Sequence, residues 1–102
     1  MQFKVTWDDI KEGVPGLSRE CPIARSTNRG IDHGIASVGV TSIYIFYDSG
    51  TVEAYPMPAR VKAFVNTFDS NPTKTLFQRM KQKLIIRPFT FTLGEPTTFT
   101  EE

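Results

Sequence analysis

Apolar and polar residues alternate at both ends of the chain. Residues 2–7 read QFKVTW, and residues 89–93 read FTFTL. A period of two places successive side chains on opposite faces of an extended chain, which is typical of a half-buried β-strand. The pattern therefore predicts one strand at each end. Because the two segments share aromatic residues at alternate positions, we expect these strands to lie side by side.

The middle of the chain, residues 36–57, has the composition of a β-sheet throughout. The segment SIYIFY at 42–47 is apolar at consecutive positions, as expected of a central strand that is covered on both faces. DSG at 48–50 predicts a tight turn in which Gly50 adopts positive φ, and TVEAY then returns along the sheet. The segment therefore predicts a β-hairpin.

Capping residues predict two short helices before this hairpin. Thr6 with Asp9 has the form of a capping box, which indicates a helical turn over residues 7–12. Pro22 suits the first turn of a second helix, because its missing N–H needs no partner there. We expect this second helix to end near Asn28, before a glycine.

A longer helix is predicted after the hairpin, beginning near Pro58. Its apolar residues recur at i, i+3, i+4 and i+7, so they form one stripe that is expected to face the core. The stripe consists of Val61, Phe64, Val65 and Phe68. The polar residues expected on the outer side of the helix are Arg60, Lys62 and Asn66.

The segment KTLFQRMKQKLIIRP at 74–88 is basic and amphipathic. Its apolar residues recur at helical spacing, which predicts a further helix that ends before Pro88. These apolar residues are Leu76, Phe77, Met80 and Leu84. The segment contains no acid, and its positively charged residues are Lys74, Arg79, Lys81, Lys83 and Arg87.

Together these elements predict an α+β fold. We expect a single domain over residues 1–94, in which a four- to five-stranded, mostly antiparallel sheet has two to three short helices packed on one face. Gly94 and Pro96 are expected to end the last strand. Residues 95–102 are therefore predicted to form a flexible tail.

Composition restricts the class of function. The chain has 102 residues, the size of one domain, and its formal net charge of +1 gives no overall attraction to nucleic acid or membrane. A single cysteine, Cys21, agrees with a reducing cytosol. No stretch approaches the ~18 apolar residues of a membrane span, and the N-terminus has no apolar run of signal-peptide length. We therefore expect a soluble cytoplasmic protein with no membrane partner.

The spacing of polar residues predicts neither a metal site nor a standard nucleotide site. The patterns HxxxH, CxxC, DxDxDG, GxxxxGK and GxGxxG do not occur in the sequence. We therefore predict a protein that is not an enzyme and that uses no cofactor and no metal.

Cys21 precedes a predicted helix N-terminus, where unpaired N–H groups and the helix dipole favour a thiolate. One interpretation is a reactive thiol, with His33 as its base and Asp32 orienting the imidazole ring. The other is a small buried residue that packs the helix onto the sheet, which is the usual role of a lone cysteine. The sequence leaves both interpretations open.

The basic segment is the main candidate for a partner-binding site, because Phe, Met and Arg are enriched at protein interfaces. The residues predicted to contact a partner are Phe77, Arg79, Met80, Lys81, Lys83 and Arg87. Two alternatives stay open, namely a solvated helix face without a partner and a nucleic-acid contact. The latter requires an aromatic platform or a second basic cluster, for which Arg19, Arg25 and Arg29 are the candidates.

Four short motifs resemble a group of uncharacterised open reading frames of tailed bacteriophages and prophages. The motifs are VTWDDIKEGVPG, CPIA, PARVKAFVNTFDS and RPFTFTL, and the group reads V-T-x-x-D-I-x-x-G, C-P-x-A, F-V-x-x-F-D and P-F-x-F in that order. The resemblance implies a phage or mobile-element origin, and small phage proteins of this kind often bind a host protein. The group has only a short turn between the positions of Asp69 and Pro88, so the basic segment is an addition here.

The sequence thus predicts a non-enzymatic, phage-encoded protein that binds and inhibits a host defence protein of the anti-CRISPR or anti-restriction type. Its partner would be a protein or nucleoprotein complex in the bacterial host cytosol. The alternatives are a small nucleic-acid-binding accessory protein and, more remotely, a thiol-dependent enzyme at Cys21. A homodimer is also left open.

Overall fold

The computed structural model describes residues 2–69 and 85–100. These residues form six strands and three helices, so the predicted α+β class is confirmed. In chain order the elements are β1 (Gln2–Val5), α1 (Trp7–Glu12), α2 (Pro22–Arg29), β2 (Gly34–Val38), β3 (Ser42–Tyr47), β4 (Thr51–Pro56), α3 (Ala59–Asp69), β5 (Phe89–Thr92) and β6 (Thr97–Thr100). None of the helices among these residues is long and apolar enough to span a bilayer. The predicted basic helix lies outside the described residues, except for its last positions from Ile85.

The two terminal aromatic segments pair as predicted. β1 and β5 are antiparallel neighbours, and Phe3 lies opposite Phe91 with the ring centroids 5.5 Å apart. They form a two-stranded sheet of their own. The strands are therefore divided between two sheets, whereas the sequence predicted one.

The larger sheet contains four antiparallel strands in the order β2-β3-β4-β6. The predicted hairpin is β3 and β4, with Ile43 opposite Tyr55, and Gly50 in the turn has the expected positive φ of 91°. β3 is an inner strand, as its continuous apolar sequence predicted. The sheet is not continuous over residues 36–57, because β2 ends at Val38 and a short loop precedes β3.

The structure corrects the prediction of a tail after residue 94. Residues Thr97–Thr100 form β6, which pairs with β4 so that Phe99 lies opposite Val52. Threonine and phenylalanine both favour extended structure, and Phe99 contributes apolar surface beside Val52. β5 ends at Thr92, one residue before the predicted end at Leu93, and the chain returns to the sheet after Pro96.

The three helices begin and end close to the predicted positions. The capping box of α1 is present, since the Asp9 N–H donates to Thr6 Oγ1 and the Thr6 N–H donates to Asp9 Oδ2. α2 begins with Pro22 and ends one residue beyond the prediction. In α3 the predicted stripe faces the core, with Val61 and Phe64 fully buried and Val65 and Phe68 packed against them.

One hydrophobic core joins the two sheets to α2 and α3. Its buried residues are Phe3, Val5, Cys21, Ile23, Ala24, Val38, Ile43, Ile45, Tyr55, Met57, Val61, Phe64, Phe91 and Leu93. The β3 residues of this core, Ile43 and Ile45, occupy alternate positions, so one face of the four-stranded sheet covers the core and the other is turned away from it. That second face is the first candidate for an interaction surface.

Candidate interaction surfaces

We call the sheet face turned away from the core the outer face. Opposed residues of antiparallel strands share a face, so the register assigns its members. Its apolar members are Ile35, Tyr44, Phe46, Val52, Ala54 and Phe99. Ile35 and Phe99 are 49% and 48% exposed, whereas Val52 between their strands is only 1% exposed. The outer face is thus an apolar, aromatic surface that is open at both sides.

The outer face carries no charged side chain among the described strand residues that point to it; its polar members are serine and threonine. Arg19 lies beside the outer face, with its guanidinium carbon 5.9 Å from the centre of the Phe46 ring. The Phe46 ring in turn lies 6.4 Å from that of Tyr44. Such a geometry supports cation–π attraction at the rim of an aromatic patch.

Sequence reasoning missed this surface. The apolar run SIYIFY predicted a strand covered on both faces, and in the structure Ile43 and Ile45 are fully buried whereas Tyr44 and Phe46 on the other face are only half-buried. The signal was present in the sequence, because a small protein with few helices cannot cover both faces of a four-stranded sheet with ordinary packing layers.

The basic segment is described only at its end. Phe77, Arg79, Met80, Lys81 and Lys83 lie outside the described residues, so these predicted contacts stay predictions. Arg87 is described and is exposed.

Arg60, which was predicted on the outer side of α3, is half-buried instead. Its Nη2 donates to the carbonyl of Ile85 over 2.7 Å, and its guanidinium carbon lies 4.2 Å from the centre of the Phe89 ring. Burial and, secondarily, the positive charge of Arg87 lower the pKa of Arg60. Arg60 of α3 thus contacts the end of the basic segment, and neither Arg60 nor Arg87 belongs to an ion pair found within the described residues.

Two of the three arginines predicted to form a second basic cluster, Arg25 and Arg29, face a carboxylate, whereas the third, Arg19, lies before α2. Arg29 donates to both carboxylate oxygens of the buried Asp9 over 2.8 and 2.7 Å, and Arg25 Nε lies 3.7 Å from the same group. Burial alone would raise the pKa of Asp9, but the hydrogen bonds from Arg29 and Thr6 outweigh it, and the pKa is lowered. Because these guanidinium groups already face a carboxylate, they do not form a free cationic patch.

A cleft of about 550 Å³ lies beside this cluster. Its charged lining residues are Asp9, Glu12, Arg19, Glu20, Arg25 and Arg29. Acids and arginines are present in equal number along it, so the cleft has no net preference for an anion.

Cys21 is buried, with 5% of its surface exposed, and it lines a cavity of about 250 Å³ together with apolar residues that include Val38, Met57 and Val65. The side chain of His33 is 87% exposed, and its Nδ1 lies 4.0 Å from Asp48. His33 does not belong to the described lining of the cavity. The structure therefore gives no support to the interpretation of Cys21 and His33 as a dyad, and Asp48 lies 4.0 Å from the imidazole ring.

Two tyrosines share one carboxylate on the core side of the hairpin. The hydroxyl groups of Tyr47 and Tyr55 donate to Glu53 Oε1 over 2.6 and 3.1 Å. Burial, followed by the hydrogen bond to Glu53, raises the pKa of Tyr47 and raises that of Tyr55 to about 12. All three groups are satisfied by one another, which indicates a structural role.

No cluster of three or more His, Cys, Asp or Glu side chains suited to a metal ion occurs in the ranges 2–69 and 85–100. No protein family, no curated protein and no solved structure matches the chain. The assignment of a function therefore depends on the surfaces themselves.

Proposed function

We propose that this protein is a non-enzymatic, phage-encoded binding protein that inhibits a host defence protein of the anti-CRISPR or anti-restriction type. It acts in the bacterial host cytosol through protein–protein contacts. The observation that carries the proposal is the outer face, on which Tyr44, Phe46 and Phe99 lie on one ordered, uncharged sheet surface beside Arg19.

The composition of the outer face favours a protein partner. Tyrosine, phenylalanine and arginine are enriched where proteins bind one another, and charged residues are depleted at the centre of such interfaces. Monomeric proteins seldom leave a continuous apolar patch exposed without an interaction to cover it. A sheet also holds these rings in place, so little conformational entropy is lost on binding.

The end of the basic segment supplies a second area for the same function. The positive charge of Arg87 acts on Arg60, and neither residue has an acidic partner in the described ranges. An acidic surface on the host protein would relieve their repulsion. The other residues proposed to contact the partner precede Arg87 in the sequence; they are Phe77, Arg79, Met80, Lys81 and Lys83.

Phage plating tests the proposal directly. Hosts that carry a CRISPR–Cas or restriction system, each challenged with a phage that the system targets, are plated with and without expression of the chain. We expect the plating efficiency to rise in at least one host, because the inhibited system no longer destroys the phage. Phe46→Glu should abolish the rise, since it places a charge at the centre of the outer face.

Trp7→Ala is the matched control, because Trp7 is an aromatic residue that is 63% exposed but lies on α1, away from the outer face. It should retain full inhibition. Equal inhibition by Phe46→Glu and wild type would remove the outer face from the proposal. No rise in plating in any host, with the chain folded and expressed, would contradict the proposed function.

One observation favours a nucleic-acid alternative, because the adjacent rings of Tyr44 and Phe46 with Arg19 at their side resemble a stacking platform for bases. Titration of a single-stranded oligonucleotide at increasing salt distinguishes it. An affinity that falls steeply with salt would support that alternative, whereas the proposed function requires no such binding.

A further inference from the structure

The two edges of the four-stranded sheet differ in how their backbone groups are used. At the β2 edge, the outward N–H of Ala36 donates to Asn28 Oδ1 over 2.7 Å, and that of Val38 donates to the carbonyl of Ser18 over 2.8 Å. Side-chain and loop acceptors therefore close this edge. Natural proteins commonly protect edge strands in this way against pairing with other chains.

The observed hydrogen bonds also fix the direction of the backbone groups at the opposite edge. The backbone N–H groups of Ala36 and Val38 point away from β3. Because this direction alternates along an antiparallel strand, the backbone groups of Ile35 and Ser37 bond to β3. The register extends this alternation across the sheet, because opposed residues of two neighbouring strands bond to each other or both point away. The bonded pairs, one for each pair of neighbouring strands, include Ile35 with Phe46, Ile45 with Glu53, and Val52 with Phe99.

It follows that Thr97 and Phe99 bond to β4, while the N–H and C=O groups of Thr98 and Thr100 point away from the sheet. Within the described part of the chain, β6 has a neighbour on one side only. Its sequence, TTFT, contains no charge and no proline, and its residue types favour extended structure. Within residues 2–69 and 85–100, β6 is thus an edge without the protection seen at β2.

We propose that β6 binds β6 of a second copy of this chain in antiparallel orientation, about a two-fold axis that passes beside Phe99. In this register Thr98 of each copy lies opposite Thr100 of the other, and each such pair exchanges two backbone hydrogen bonds. Phe99 lies opposite Phe99 of the second copy as a pair without backbone bonds, the arrangement that brings side chains closest.

This register uses the strand better than its alternatives. A two-fold axis at Thr98 would place Thr100 opposite Pro96, which has no N–H to donate. The register at Phe99 instead uses both outward residues of β6 and covers two rings that are each 48% exposed in the single chain. Aromatic pairs across antiparallel strands are stabilising.

Pairing of this kind joins two four-stranded sheets into one and makes the two outer faces continuous across the axis. The inference concerns the β6 edge and does not depend on the identity of a host partner. Since a single short strand forms the contact, we expect a dimer that dissociates on dilution.

In this dimer Phe99 of one copy lies opposite Phe99 of the other, and charged substitutions at this position test the pairing. Light scattering after size-exclusion chromatography over a range of concentrations should show a monomer–dimer equilibrium for the wild type. Phe99→Lys and Phe99→Glu should each weaken the dimer by about tenfold or more, because like charges then lie directly opposite. An equimolar mixture of the two variants should restore dimerisation, because unlike charges then face each other.

Ile35→Lys is the matched control, because Ile35 has the same exposure on the same face but lies at the protected edge. It should leave the dimerisation of the chain unchanged. Recovery in the mixture also shows that the charge variants fold. A wild type that stays monomeric at millimolar concentration, or a mixture no better than either variant alone, would overturn the proposal.

Crosslinking tests the register separately. Opposed residues without backbone bonds have Cα atoms about 4.5 Å apart, which a disulfide can span. Under mild oxidation Phe99→Cys should form a covalent dimer rapidly. Thr97→Cys, two residues away on the same strand, should not, because the two substituted positions then lie well beyond disulfide reach. Equal crosslinking of both variants would contradict the register, and none in Phe99→Cys would contradict the pairing.

Discussion

At the scale of single residues, the carboxylate of Asp9 connects three parts of the chain. It accepts hydrogen bonds from Thr6 at the start of α1 and from Arg29 at the end of α2. Arg29 also donates to the carbonyl of Lys4 in β1. A buried charge of this kind is stable only while its partners are present, so it sets a precise position for both helices against β1.

Asp9→Asn should therefore destabilise the fold by about 2–4 kcal/mol, because it removes a charge that two arginines face in a buried setting. Urea unfolding monitored by circular dichroism measures this difference. Asp8→Asn is the control, since Asp8 is exposed on the same helix, and it should have little effect. Equal stability of Asp9→Asn and wild type would contradict the role assigned to the carboxylate.

The lowered pKa of Asp9 also fixes the sign of a pH effect. A carboxyl whose pKa is lower in the folded state contributes stability above its unfolded pKa, ordinarily near 3.8, and this contribution is lost as the pH falls through the folded pKa. The difference in unfolding free energy between wild type and Asp9→Asn should thus shrink in acid. A difference that stays constant from pH 7 to pH 2 would be inconsistent with this interpretation.

The tyrosine pair predicts a second pH effect, at the alkaline end. The pKa values of Tyr47 and Tyr55 are raised, the latter to about 12, so the folded state holds protons that the unfolded state releases near pH 10. Stability should fall as the pH rises from about 10 toward 12. Ultraviolet titration should show late ionisation of these tyrosines, and Glu53→Gln should bring it closer to pH 10. Unchanged titration in Glu53→Gln would show that burial alone causes the shift.

At the scale of elements, local signals were sufficient where the partner is close in sequence. The capping box of Thr6 and Asp9, the proline that opens α2 and the turn at Gly50 all act over a few residues, and each element was predicted at or near its position. β6 was missed because its stability depends on β4, more than forty residues earlier, and nothing in TTFT itself states that pairing. The partial burial of Arg60 was missed for the same reason, since its partners Ile85 and Phe89 come later in the chain.

The contact between α2 and β2 gives a prediction at this scale. Asn28 accepts the outward N–H of Ala36, so Asn28→Ala leaves that donor without its acceptor and should cost about 1–3 kcal/mol of stability. Asn28→Asp keeps an acceptor oxygen and should cost less. Hydrogen exchange at the Ala36 amide measures the effect locally, and it should accelerate only in Asn28→Ala. Similar exchange in both variants would argue against this bond as the protection of the β2 edge.

At the scale of the whole molecule, the return of the chain to the sheet after Pro96 determines both where the domain ends and how far the outer face extends. The sequence predicted that the domain ends at residue 94. In such a domain β4, which contains Val52, would be an open edge of the sheet. In the structure Val52 is 1% exposed and lies opposite Phe99, so the last strand completes both the sheet and the outer face. The full extent of the outer face could not be predicted from local periodicity, because β2, β3 and β4 are consecutive in the chain but β6 begins more than forty residues after β4 ends.

Truncation distinguishes a C-terminal strand that stabilises the sheet from the flexible tail that the sequence predicted. A chain that ends at Gly94 should lose about 2–4 kcal/mol of stability, because β4 loses its ladder partner and Val52 and Phe99 lose their apolar contact. A chain that ends at Thr100 retains β6 and should unfold at the same urea concentration as the full chain. Because the outer face lacks Phe99 in the shorter chain, inhibition in the plating assay should also weaken. If both truncated chains unfold with the full-length midpoint, β6 contributes nothing to the fold and residues 95–102 are the tail that the sequence predicted.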